Sequence, residues 1–332
     1  MKRLTDWLVY LFVRLFVCLI QALSLESCHA ASRLLAWLAC DVVRLRGRVV
    51  DDNLRHVFPA WPDGARRDLA RQMWEHLFLM VCEIAHAPRK IHETNWRRYF
   101  QFRGKREMVA YLLDERPSVF VSGHFGNFEL SSFMMGLLGF PTYAIARRLD
   151  NPYLDRYVNE FRRANGQFIL PKDGSAAQVE AVLGSGGVIA LLGDQSAGPK
   201  GCWVDFLGRP ASCHKAVALF TLVSGAPLVV AYGKRIGGPL HFELGSEGAV
   251  DPQISRDELA GVKPLTQWYN RALERIIRSA PEQYWWVHRR WKGEPPAKAN
   301  RSGRTVVQGP PVQGPPAHPP PAHPPPAQRS AA

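Results

Sequence analysis

The sequence predicts an α/β fold, a mostly parallel central sheet flanked by helices, with a membrane-associated helix at the amino terminus. Three observations predict it. From Lys105 onward, short apolar runs alternate with segments of helical period, about 10–15 residues each. The first 25 residues are dominated by Leu, Val, Phe, Tyr and Ile. After Glu294 the composition turns to proline repeats that cannot build a core. The chain therefore divides into an anchor helix over residues 1–28, a folded domain over 29–293 and a disordered tail over 294–332.

The anchor rests on Trp7–Leu25, an apolar run of 19 residues interrupted by Arg14 and Gln21. As a helix it spans about 28 Å, close to the hydrocarbon thickness of a bilayer. A charge at the midplane is costly, so two placements fit: a full span, or a helix dipping into the bilayer with Arg14 reaching for headgroups. A cleavable signal peptide fits less well, because the run is long and Arg14 breaks it. A second helical pattern covers about Ala30–Val43, and the basic cluster Arg44, Arg46, Arg48 follows it. Cations just past a membrane-associated helix are expected to face anionic headgroups on the cytoplasmic side.

Further helices are expected at Asp51–Val57 and Asp63–Ala87, separated by Pro59-Ala60-Trp61-Pro62. Leu69, Met73, Leu77, Met80, Val81 and Ile84 form the apolar stripe of the longer one, and His76 and His86 read as packed residues on it. Strands are expected at Ser118–Val121, Thr142–Ala146, Phe168–Leu170, Val188–Leu192 and Leu228–Tyr232. Helices are expected at about 105–114, 128–139, 151–165, 175–184, 213–224 and 264–280. Val204–Ala211 reads as a loop. In such sheets the ligand sits at the carboxyl ends of the strands, which puts His124, Arg147 and Asp194 on one rim.

The net charge of +13 suits anionic lipid surfaces, nucleic acid or acidic protein partners. No zinc-finger spacing and no RNA-binding aromatic signature supports nucleic acid. The six cysteines show no C-x-x-C pair and no framework spacing, so they read as free thiols in a reducing compartment. Nothing in the sequence requires Cys202 and Cys213 to face each other.

The most informative stretch is Ser122-Gly123-His124-Phe125-Gly126-Asn127-Phe128-Glu129. On one continuous helix, His124 and Glu129 would point about 140° apart. A strand ending near His124, a turn through Gly126-Asn127 and a helix from Phe128 remove that problem. Asn127 is then the N-cap, and Glu129 sits in the first turn, where the dipole favours an ionised carboxylate. Such a carboxylate can hold the imidazole in one tautomer, ready to remove a proton from a hydroxyl group. Arg147-Arg148 follow one strand later, with guanidinium groups suited to phosphate. Gly193-Asp194-Gln195 forms a polar turn that could orient a substrate or the arginines. The segment Pro281–Lys292 is dense in aromatics and cations, as at a membrane interface or a packed helix end.

Taken together, these segments resemble the bacterial lipid A biosynthesis acyltransferases, the lauroyl/myristoyl transferases of the lysophospholipid acyltransferase superfamily. The likeness is carried by Asp52-Asn53-Leu54 with Phe58-Pro59, the His124/Glu129 pair, Arg147 before Asp150-Asn151-Pro152, Gly193-Asp194-Gln195, Val204–Ala211, Glu282-Gln283-Tyr284 and His288-Arg289-Arg290. The resemblance implies a glycerolipid-acyltransferase-like fold over residues 29–293. It implies transfer of a fatty acyl group from acyl carrier protein, as co-substrate and without a further cofactor or metal, to a hydroxyl of an anionic glycolipid. His124 would be the general base, and Glu129 would orient its ring. Asn127, Arg147, Asp194 and Gln195 would bind substrate, with Arg147 or the backbone N–H groups of Gly123–Asn127 at the oxyanion. The inner membrane is the expected location, with the catalytic domain on its cytoplasmic face.

Rival readings keep the same residues. The acceptor could be a lysophospholipid, an aminolipid or a mannosylated inositol lipid, since no residue specifies the sugar. A hydrolase using His124 to activate water lacks a Gly-x-Ser-x-Gly elbow. A membrane-binding module with a structural His124 is the remaining class.

Overall fold

A computed structural model of the chain describes residues 2–254 and 259–296. The proline repeats expected to be disordered lie outside the described residues. Four helices come first: α1 (Lys2–Ala22), α2 (Leu25–Trp37), α3 (Gly47–Val57) and α4 (Asp63–Lys90). The apolar amino-terminal run is thus broken near Leu23-Ser24. Ser24 explains the break: its side chain accepts from the N–H of Ser27 and caps α2, which begins five residues earlier than its apolar pattern indicates.

Helix α1 is long and apolar enough to cross a membrane, and its Leu4, Leu8, Phe12, Leu15 and Leu19 are exposed. Arg14 is exposed, but its guanidinium is not without partners. Its guanidinium donates to the Tyr10 hydroxyl at 2.9 Å and lies 5.0 Å from the centre of the Tyr157 ring. Tyr10 also packs against Tyr153 and Tyr157 of α7 (Pro152–Ala164), and Asn151 donates to the Asp6 carbonyl, so one side of α1 is a docking face.

The remaining elements are β1 (Phe100–Arg103), α5 (Lys105–Leu112), β2 (Ser118–Ser122), α6 (Phe128–Leu137), β3 (Thr142–Ala146), α7, β4 (Gln167–Pro171), α8 (Ala176–Gly184) and β5 (Val188–Leu192). They continue with β6 (Cys202–Phe206), β7 (Arg209–Cys213), α9 (Ala216–Ser224), β8 (Leu228–Arg235), β9 (Phe242–Val250) and α10 (Val262–Ser279). A seven-stranded sheet has the order β1-β9-β8-β2-β5-β3-β4. Strands β8, β2, β5, β3 and β4 run parallel, while β9 pairs antiparallel with β8 and carries β1 parallel to itself. The predicted sheet is present, with two reversed strands at one edge.

Strand β2 is central and apolar on both faces, as a buried parallel strand requires. Val119 and Val121 belong to the same buried cluster as Tyr269 and Leu273 of α10, and Phe120 belongs to another with Met108 of α5 and Val229 of β8. Burying each such side chain contributes roughly 1.5–3 kcal/mol.

Val204–Ala211 corrects the sequence reading. It is not a loop but most of an antiparallel hairpin, in which Phe206 pairs with Arg209 across a two-residue turn. Leu207 and Gly208 both have positive φ, 53° and 82°, as the tightest hairpin turn demands. Leucine is unusual there, so the turn carried no sequence signal. Cys202 and Cys213 are register partners at the other end of this hairpin, both as free thiols.

Candidate active site

The parallel pairing of β2 with β5 sets the site. Gly123-His124 leaves β2 where Gly193-Asp194 leaves the neighbouring β5, so the two turns meet at one rim. Asp194 is fully buried and both its oxygens serve His124. Oδ1 accepts from the ring Nδ1 at 2.7 Å, and Oδ2 accepts from the His124 backbone N–H at 2.8 Å. Burial alone would raise the Asp194 carboxyl. The His124 charge and these two hydrogen bonds outweigh it and hold the group well below the usual carboxylate range. An ionised Asp194 fixes the ring proton on Nδ1 and leaves Nε2 as an acceptor. Gln195 Nε2 lies 3.3 Å from that nitrogen.

This arrangement corrects the sequence reading of the carboxylate. Glu129 stands in the first turn of α6 as expected, but it pairs with Arg162 of α7 rather than with the imidazole. Arg162 Nε donates to Glu129 Oε2 at 3.1 Å and Nη2 donates to Oε1. The carboxylate that holds the ring is Asp194, assigned from sequence only to substrate binding. Arg147 follows β3 on the same rim, yet its guanidinium is 77% exposed and donates to Asp150 at 2.7 Å. The chain brings His124, Asp194 and Gln195 together and leaves Glu129 and Arg147 in separate pairs.

Asn127 caps α6 as its position demands, its Oδ1 accepting from Leu130 N–H. Its Nδ2 donates to the fully buried Glu83 at 3.1 Å. Glu83 also accepts from Arg235 at 2.7 and 2.6 Å and from Leu240 N–H at 3.1 Å. Arg235 donates to His76 Nδ1 at 2.6 Å, and His76 Nε2 donates to the Gly126 carbonyl at 3.1 Å. His76, which reads as a packed core residue, therefore holds the turn that carries His124. Burial, then the Arg235 charge, keep it neutral by lowering its pKa well below the ordinary value. Gly126 has φ 59° and a Cβ there would lie 1.8 Å from the Gly233 carbonyl oxygen, so no other residue fits.

The carboxyl-terminal segment closes the other side. Gly126 N–H donates to Gln283 and Trp285 N–H to His124, which zips Gln283–Trp285 along the turn. With His124 N–H bound to Asp194 and Asn127 N–H bound to Gly233, three of the backbone donors expected at an oxyanion are already engaged. Phe128, Trp285 and His288 surround the His124 ring with centroids at 5.2, 5.1 and 4.6 Å. Asn53 of α3 holds this segment by donating to the carbonyls of Trp286 and His288 at 2.7 and 2.8 Å. Burial, then the neighbouring His124 charge, push the His288 imidazole down to about 4. The donor atoms of His124, Asp194 and His288 lie within 4.8 Å of one another, so holding a cation would compete with the Asp194–His124 hydrogen bond. Sequence reasoning missed His288 as a site residue because only the folded sheet brings it beside residue 124.

A family model for the bacterial lipid A biosynthesis acyltransferases matches residues 1–293. The chain belongs to this family. It is 25% identical over 270 residues to the lipid A biosynthesis lauroyltransferase of Escherichia coli (strain K12), covering 80% of this chain and 85% of that protein. Identity to the lipid A biosynthesis palmitoleoyltransferase of the same organism is 22% over 273 residues, with 81% and 85% covered. The crystal structure of the 1-acyl-sn-glycerophosphate acyltransferase of Thermotoga maritima aligns with 79% of this chain and 99% of its own, at 12% identity and a TM-score of 0.39. Family membership makes this lipid A acyltransferase an O-acyltransferase with a lipid acceptor.

Two outcomes follow from the geometry. Glu129→Ala and Arg162→Ala should each destabilise the acyltransferase by about 1–3 kcal/mol, because each strands a partly buried charge. The double substitution should fall short of their sum by about 1 kcal/mol or more, read by denaturant unfolding in detergent. The second outcome concerns acid. His288 binds a proton from the ordinary 6.5 downward when unfolded but only near 4 when folded, so stability falls as pH drops through that window. The loss should reach up to about 3 kcal/mol and shrink in His288→Gln, measured as unfolding free energy against pH.

Proposed function

We propose that this acyltransferase moves a fatty acyl chain from acyl carrier protein to a hydroxyl of a lipid A precursor, with His124 as general base. The observation that carries the reading is the 2.7 Å hydrogen bond from His124 Nδ1 to a buried, ionised Asp194. It leaves Nε2 with a lone pair, within reach of the solvent-facing Gln195. The acceptor hydroxyl displaces the Gln195 amide from Nε2 and gives up its proton there. Its oxygen attacks the thioester carbonyl carbon, the carbon–sulfur bond breaks, and the departing thiolate takes the proton back from the imidazolium. No covalent acyl-enzyme is needed. Asp194 stays ionised and stabilises the imidazolium, while Gln195, freed from Nε2, donates to the carbonyl oxygen as negative charge develops.

Glu129 is a positioning residue in this scheme. It ties α6 to Arg162 of α7 and so fixes the far wall of the site. The aromatic surroundings of His124 exclude water, which favours transfer to an alcohol over hydrolysis. The exposed apolar side of α1 is the membrane anchor, at the cytoplasmic face of the inner membrane, and residues 29–293 form the catalytic domain. The excess positive charge suits both an acidic carrier protein and an anionic glycolipid.

A positioned base contributes roughly 10²–10⁴-fold to rate, or about 3–5 kcal/mol. Radiolabelled acyl transfer from acyl carrier protein to a lipid A precursor should therefore fall by about that factor in His124→Ala, with binding of both substrates retained. Transfer surviving in His124→Ala would leave the mechanism without its base. Free fatty acid released by the wild type in place of acylated lipid would point to hydrolysis instead.

A further inference from the structure

A cavity of about 460 Å³ opens at the start of α3, lined by Arg44, Arg46, Gly47, Arg48, Val49 and Arg289. Four arginines therefore line one open, concave space, and among the described residues none of the four is in an ion pair. Other arginines, such as Arg163 and Arg278, also lie outside any ion pair, and what sets these four apart is that they line one concave space. Gathering like charges without a counter-charge is unfavourable unless something anionic enters. Arg44 and Arg46 both have φ 53°, a left-handed conformation disfavoured for residues with a side chain, and so turn the loop around the cavity. The amino-terminal end of α3 adds its own positive potential.

The cavity's neighbours state what enters it. Trp37, Val42, Val43 and Leu45, just before and within the loop, are between 44% and 67% exposed, which suits the edge of a lipid surface. On the other side Arg289 follows His288, whose ring is 4.6 Å from that of His124. The Arg46 charge also acts on the His288 imidazole. The arginines thus lie between an apolar margin and the catalytic imidazole, where the headgroup of a lipid acceptor has to sit. Guanidinium forks match phosphate oxygens in pairs, and a concave space of this volume is of the size of a phosphorylated sugar.

We infer that the cavity formed by Arg44, Arg46, Arg48 and Arg289 binds the phosphate group of the acceptor's headgroup and so presents the acceptor hydroxyl to His124. The inference rests on the acyl-transfer reading above and adds the subsite, which sequence reasoning had assigned to Arg147. Arg147, exposed and paired with Asp150, is then not needed for it.

The test compares two acceptors, a phosphorylated glucosamine-based lipid and the same lipid after phosphatase treatment, with the full-length acyltransferase in detergent. The variants are Arg44→Ser/Arg46→Ser/Arg289→Ser combined and, separately, Arg147→Ser. The triple variant should raise KM for the phosphorylated acceptor about tenfold or more, with kcat and the KM for acyl carrier protein little changed. Its KM for the dephosphorylated lipid should match that of the wild type, and Arg147→Ser should leave both unchanged. Inorganic phosphate should compete with the phosphorylated acceptor in the wild type only, which separates a phosphate subsite from general attraction to a lipid surface. Equal effects on both acceptors, or a raised KM for the carrier protein alone, would overturn the inference. So would a wild type that does not distinguish the two acceptors while acylating both. A wild type that acylates neither would fail the acyl-transfer reading itself and take the subsite with it.

Discussion

The hydrogen bond between a fully buried Asp194 and the ring of His124 is the constraint around which the rest of the site is arranged. A carboxylate with no access to water is costly unless its oxygens are filled. Here one residue fills both, through its ring and its backbone N–H. That double contact fixes the position and the tautomer of the imidazole together. It is possible only because β2 and β5 are adjacent and parallel, so that their carboxyl ends turn out of the sheet side by side.

Around this pair the fold supplies rigidity from three directions. From behind, Glu83, Arg235 and His76 hold Asn127 and the carbonyl of Gly126, so the turn is locked by a buried polar network with matched donors and acceptors. From the side, Gln283–Trp285 pairs with the same turn through backbone hydrogen bonds. From the front, α3 uses Asn53 to hold the carbonyls of Trp286 and His288, linking the amino-terminal helices to the rim that carries His124. The Arg290 guanidinium, buried against Phe206, Ser212 and Cys213, anchors the terminal segment to the hairpin β6–β7. His288, Arg289 and Arg290 thus go to three different places: the His124 ring, the arginine cavity and the core.

Much of the fold was legible because the parallel strands are short apolar runs between helices of clear period, as in Ser118–Ser122 and Val188–Leu192. What escaped had a physical reason. Strand β9 contains Gly245 and Gly248 and alternates weakly, and β1 is only four residues long. The β6–β7 turn uses Leu207 in a conformation that Asn or Gly usually occupies. The turn positions of His124 and of Asn127 as the cap of α6 were legible from local turn chemistry, but the substrate contact expected of Asn127 was not met, because its buried side chain is taken up by Leu130 N–H and Glu83. The role of Asp194 was not legible, because a carboxylate 70 residues away reaches the ring only through sheet pairing. Glu129 drew attention by its nearness in sequence, but the first turn of α6 aims it at Arg162. Arg235 and Glu83, 152 residues apart, could not have been paired from sequence at all.

The most direct test of the account is a double-substitution cycle on single-turnover acyl transfer, with His124→Ala, Asp194→Ala and both together. If Asp194 acts only through the imidazole, each single change lowers the rate by about 10²–10⁴-fold and the double variant is no slower than the slower single. Multiplicative losses in the double variant would contradict it, as would an Asp194→Ala enzyme that turns over at the wild-type rate.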